Sequence, residues 1–281
     1  MIFLVLAFVI GVVALYSYAV RGDFVLPVIA AVFAIPSSLI GYYSGDKIAL
    51  AVNRAKAVPE TAMPELHKIV ENLAITAGLP KPKIHYIDSP ALNAFACGRD
   101  PEHASIAITR GLMERLDRSE LEGVLAHELS HVRNYDIRYA TIVAIFVGFL
   151  TILSDFVFRS FLWGGFRGRD SDNRNNGQLG AILAIVGLVL LVISPIIAKI
   201  IQLAISRQRE YLADSSGVML TRYPEGLASA LEKISGQSAV ETAGQSTAHL
   251  FIANPFKKNN FARLFATHPP IEERIKRLRE M

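Results

Sequence analysis

Four stretches of this chain are too long and too apolar for the surface of a soluble protein, and they set the architecture of the rest. Met1 to Val20 and Phe24 to Tyr43 contain no charged side chain, and each is about the length of a membrane-spanning helix. Only Arg21-Gly22-Asp23 separates them, enough for a tight hairpin turn. Tyr139 to Leu162 is apolar apart from Asp155 and Arg159, one helical turn apart and able to pair, and Gln178 to Ala198 is apolar throughout. The chain is short of charge to match, with 19% charged residues against about 25% in a typical soluble domain. Its mean hydropathy is +0.35. Ser17 and Ala19 resemble a signal-peptide cleavage site, but no basic segment precedes the first stretch and a second apolar stretch follows at once. The expectation is a retained transmembrane helix.

Two membrane hairpins then frame one domain assembled from two segments. The boundaries expected are a hairpin over residues 1–45, the first part of the domain over 46–138, a second hairpin over 139–206 and the second part over 207–281. The two domain segments hold about 170 residues, enough for a single core. Pro64 to Ala77 reads as a helix stopped by Gly78 and Pro80-Lys81-Pro82. Lys83 to Ile87, Asn93 to Cys97 and Ala104 to Thr109 read as short strands, and Leu112 to Leu116 as a helix. Ser235 to Gly244, rich in Gly, Ser and Gln, reads as a mobile loop. Lysines and arginines near the span ends favour the domain side, which places the domain and the N-terminus in the cytoplasm. The formal net charge of +4 comes without any run of basic and aromatic residues, so nucleic acid is excluded as a partner and lipid headgroups fit better. Cys97 is the only cysteine, so an intrachain disulfide is impossible.

Chemistry enters at His127-Glu128-Leu129-Ser130-His131. Histidines four apart share one face of a helix, so both imidazoles can reach one metal ion, and the glutamate stands within reach of a water held there. The helix is legible too: Leu121, Val124, Leu125 and Leu129 recur at helical spacing, with Ser119 and Glu122 as the expected capping box. Two histidines do not complete a catalytic zinc site, which uses three protein ligands and leaves a position for water or substrate. The best source of the third is Ser206 to Asp214, where Glu210 and Asp214 lie four apart. One of these carboxylates can bind the metal while the other accepts the N–H of a ligating histidine. His, His and a carboxylate suit zinc, one ion per chain, although cobalt and manganese share such ligands. His67, His85 and His103 stand in ordinary structural contexts, and His249 has no evident partner. His268, in Thr267-His268-Pro269-Pro270, admits two readings: a donor to the oxyanion formed in amide attack, or simply the approach to the helix Ile271 to Arg279.

Taken together, Asn93-Ala94-Phe95-Ala96, His127 to His131, Ser206 to Asp214 and Thr267 to Pro270 resemble, in order, the HtpX group of membrane zinc metalloproteases, wider relatives of the CAAX prenyl endoproteases. The resemblance covers nearly the whole chain. It implies a mainly α protein, with four membrane helices in two hairpins and a mostly helical zincin-like (gluzincin) domain carrying a small β-sheet. It also makes Glu210 the third zinc ligand and Asp214 the partner of a ligating histidine, and brings His268 near the catalytic centre. Glu128 is then the general base of a zinc endopeptidase in the cell (inner) membrane, its domain cytoplasmic and its substrates misfolded or damaged membrane proteins or other unfolded polypeptides. Asn93, Ala94, Phe95 and Ala96 offer a strand edge on which an extended substrate can add. Two alternatives are a prenyl-protein processing enzyme and a zinc-stabilised scaffold without activity. Oligomeric state is not readable.

Overall fold

The computed structural model describes residues 25–142, 207–235 and 269–281, with positions 6, 7, 10, 11 and 14 before them. The chain divides into two compact units, one of residues 1–42 and 142–201, the other of residues 43–141 and 202–281. In the first, helix α1 (Val25–Val52) begins. Pro36 lies inside it, and the hydroxyls of Ser37 and Ser38 bond back to the carbonyls of Phe33 and Ala34 at 2.6 and 2.8 Å. Val28, Val32, Phe33, Leu39 and Ile40 are more than half exposed. Among the described residues no helix is long and apolar enough to cross a membrane. Of the four expected spans, Met1 to Val20, Tyr139 to Leu162 and Gln178 to Ala198 lie almost wholly outside the described residues, as do the Asp155–Arg159 pair and the expected loop Ser235 to Gly244.

The second unit is mostly helical, with a small mixed sheet. Strands β1 (Lys56–Ala57), β2 (Lys83–Ile87), β3 (Ala94–Cys97) and β4 (Ser105–Thr109) stand in the order β1-β2-β4-β3, with β2 and β4 parallel and the outer pairs antiparallel. Side chains alternate across the sheet. Ile84, Ala94, Ala96, Ile106 and Ile108 join the main core, while Ile87, Phe95, Cys97 and Ala107 join a smaller one with Ala49 and Leu50 of α1. Covered on both faces, β4 is buried along its whole length, with Ile106 and Ile108 filling the main-core face and small Ala107 the other.

Helix α2 (Pro64–Ala77) starts on a proline and ends at Gly78, whose φ of 68° is the left-handed conformation that glycine adopts without strain. After α3 (Arg110–Arg115) comes α4 (Arg118–Arg133), which carries the two histidines through the middle of the core. Its cap corrects the sequence expectation. Asp117, not Ser119, accepts from the Glu120 backbone, and the Glu120 side chain accepts in return from the Asp117 backbone. The Ser119 hydroxyl donates to Asp117 at 2.7 Å instead. Glu120 is also bonded by Ser229 and Lys233, each at 2.6 Å, so the start of α4 is pinned to α7 (Pro224–Ser235). The two helices pack closely because Gly123 has no side chain: a Cβ there would lie 2.7 Å from the Leu227 backbone nitrogen. Past Arg133 the chain turns at Asn134 and Tyr135, the latter left-handed at φ 58°, before helix α5 over residues 136–142. Helix α6 covers residues 207–221, and α8 (Ile271–Arg279) packs on α7.

Candidate metal centre

Helix geometry puts His127 and His131 on one face of α4, and α6 brings Glu210 against them. One ligand atom from each of the three lies within 4.8 Å of the others. The two Nε2 atoms are 3.1 Å apart, and the Glu210 carboxylate oxygens stand 3.5 Å from that of His131 and 3.7 Å from that of His127. His127 is fully buried, whereas the His131 side chain keeps 16% of its surface exposed, so the cluster opens on the His131 side.

Each histidine is held from behind by a carboxylate. His127 Nδ1 donates to Asp214 at 3.0 Å, and His131 Nδ1 donates to Asp136 at 2.9 Å. An ionised carboxylate only accepts, so both Nδ1 atoms carry hydrogen and both Nε2 atoms turn inward. Two lone pairs facing each other demand a positive charge between them. The surrounding electrostatics answer that demand: burial alone would lower His131, but Asp136, Glu210 and Glu128 outweigh it and hold its pKa up at about 9. Burial keeps His127 below its usual range. The donor set, two nitrogens and a carboxylate converging on one point, fits a divalent cation, whose binding displaces the proton.

Glu128 lies beside this cluster. Its burial pushes the carboxyl up to about 7, with the Glu210 charge adding to the effect, while His131, the Ala96 backbone N–H that it accepts and Arg274 pull the other way. That N–H belongs to the edge of β3 facing away from β4, since Ala96 is not among the residues exchanging backbone bonds with β4: Asn93 bonds Thr109, and its like-facing partners follow at every second residue. Small Ala94 and Ala96 side chains, on the face of the sheet that joins the main core, let α4 pack close beside that edge. All four residues from Ala94 to Cys97, and Asn93 before them, are buried.

Residues 60–281 match Peptidase family M48. The chain belongs to that family. A protease HtpX homologue of Caldanaerobacter subterraneus subsp. tengcongensis is 51% identical over 255 residues, covering 89% of this chain and 83% of the relative. One from Ligilactobacillus salivarius is 43% identical over 280 residues, 99% of this chain and 94% of the relative. In fold, the chain is similar to the crystal structure of S. mikatae Ste24p, with a TM-score of 0.56 at 22% identity, across 99% of this chain and 64% of that one. As an M48 member it is a metalloendopeptidase, and a scaffold without activity is set aside.

The structure thus gathers His127, Glu128, His131, Glu210 and Asp214 at one place, next to β3. His268 lies outside the described residues. Three further residues of this M48 centre escape a sequence reading. Asp136 holds His131 and is itself held by Arg209, which stacks on Tyr139 at 4.7 Å. On the other side, Arg274 holds Asp214 through two bonds of 2.6 and 2.9 Å. Its signal was present in the sequence: Ile271, Ile275 and Leu278 form the apolar stripe of α8, and Arg274 interrupts that stripe.

Proposed function

We propose that this metalloendopeptidase is a zinc enzyme of the cell membrane, held by four membrane helices, that cleaves membrane proteins or unfolded polypeptides at the cytoplasmic face. The observation that carries the zinc reading is the convergence of His127, His131 and Glu210 on one point, with each imidazole fixed by its own carboxylate. When bound there, zinc supplies a Lewis acid that polarises water and the scissile carbonyl.

The protein's own residues supply the rest. Glu128 accepts the proton of the attacking water and returns it to the leaving amine; its burial disfavours the bare carboxylate and so favours taking the proton up. Its bond from the Ala96 N–H sets its direction. Asn93, Ala94, Phe95 and Ala96 lie beside it, so an extended peptide added along β3 runs past the carboxylate. Recognition through backbone bonds tolerates many sequences, as quality control of damaged proteins requires. His268 is the proposed donor to the oxyanion. The membrane reading rests on the apolar stretches of the sequence and on the exposed apolar side chains of α1.

Metal content and casein cleavage of detergent-purified protein, with Glu128→Ala beside the wild type, test this reading. About one zinc per chain in both, with cleavage reduced at least about 100-fold in the variant, is expected. Comparable cleavage by the variant removes Glu128 as the base.

A further inference from the structure

Among the described residues Arg274 is the largest side chain with no exposed surface. A buried guanidinium is strongly unfavourable unless charge and hydrogen bonds surround it. Here three of its nitrogens are engaged. Nε and Nη2 donate to the two oxygens of Asp214 at 2.9 and 2.6 Å, and Nη1 lies 3.4 Å from Glu210. Nη2 also lies 3.4 and 3.5 Å from the ring nitrogens of His127. One planar group therefore touches a candidate ligand, the carboxylate behind a second ligand, and that second ligand itself.

We propose that Arg274 is a positioning residue for the metal centre. Glu210 and Asp214 stand on successive turns of α6, and the fork of Arg274 locks them as one unit: Asp214 turned to His127, Glu210 turned to the metal point. The need is for the fork rather than for charge alone. A lysine ammonium offers one nitrogen and cannot grip Asp214 at both oxygens while reaching Glu210. Its position on α8 gives this last helix a part in the ligand geometry, beyond its packing on α7. The inference rests on His127, His131 and Glu210 being the metal ligands.

The test compares full-length wild type, Arg274→Lys and Arg274→Met in detergent. Zinc affinity is read by competition with a chromophoric chelator, and ligand geometry by the visible spectrum of the cobalt-substituted proteins. Both variants should bind zinc about 10–100-fold more weakly, and the cobalt bands of Arg274→Lys should shift while its circular dichroism matches wild type. Wild-type affinity and an unchanged cobalt spectrum in Arg274→Lys would overturn the proposal. If the single variants fail to fold, Asp214→Asn is compared with Asp214→Asn plus Arg274→Met: a further loss of zinc affinity in the double variant supports the proposal through the remaining contact to Glu210, and equal affinity in the two overturns it. A wild type that binds zinc but cleaves no casein would fail the peptidase reading and leave the affinity series intact. A wild type that binds no zinc would overturn the ligand assignment and this inference with it.

Discussion

The two histidines of the centre are held by the same sequence of groups, imidazole to carboxylate to guanidinium, in opposite surroundings. His127, Asp214 and Arg274 are sealed in the core, whereas Asp136 behind His131 is held by an arginine whose side chain is 34% exposed. Arg274 serves two carboxylates on α6, while Arg209 grips one and lies against Tyr139. In the core a charge pair is worth most as geometry, because neither partner has water to turn to. Near the surface the same pair can be replaced by solvent. One side of the centre is thus a rigid reference and the other an adjustable one.

Removing the carboxylates one at a time strains this contrast hardest. Asp214→Ala strands the Arg274 charge in the core and should cost about 3–5 kcal/mol. Asp136→Ala leaves Arg209 to water and takes a partner from His131, whose remaining neighbours Glu210 and Glu128 soften the loss, and should cost about 1–2 kcal/mol. Thermal midpoints by circular dichroism, with a chelator present, should fall steeply in the first variant and slightly in the second; equal falls would make the two sides energetically alike. A change of pH separates them next. Asp214, held at about 2 against an ordinary 3.8, stabilises the fold fully above pH 4 and loses that contribution as pH falls towards 2. His131, held at about 9 against 6.5, stabilises it fully below pH 6.5 and loses that contribution as pH rises through 9. In zinc-free protein Asp136→Asn should therefore flatten the alkaline limb of the stability profile and spare the acid limb; loss of both limbs together would show one coupled network. The smallest effect belongs to Arg209→Lys, which keeps a hydrated charge beside Asp136. Its zinc affinity, by chelator competition, should change less than about threefold. A loss as large as that expected of Arg274→Lys would erase the distinction.

What the sequence carried best is local. Helices α2 and α8 and strand β2 have the bounds that Pro64, Gly78, the alternation of 83–87 and Pro269-Pro270 imply, because each signal acts within a turn or two of itself. The cap of α4 lies two residues before the position the sequence suggests because Asp117-x-x-Glu120 and Ser119-x-x-Glu122 offer the same chemistry, and contacts to α7 favour the first. Ligand candidates in the HExxH run stood out because metal binding needs rare residue types at fixed spacing. Asp136 did not, since it reaches back to His131 only through the left-handed turn at Tyr135, a conformation uncommon for a tyrosine and not signalled by its residue type. Arg274 marks itself in the sequence as a charge within an apolar stripe, but the carboxylates that it meets come from α6 and only the packed core shows them.

The guanidinium that aligns the ligands lies 147 residues after the first of them. Closing so long a span comes late, since the chain between must be ordered before the contact repays its entropy. A ribosome making this protein delivers His127, His131 and Glu210 well ahead of Arg274. Each growing copy therefore holds the three candidate ligands before it holds the residue that aligns them. The last helix thus finishes a site whose ligands were all made before it.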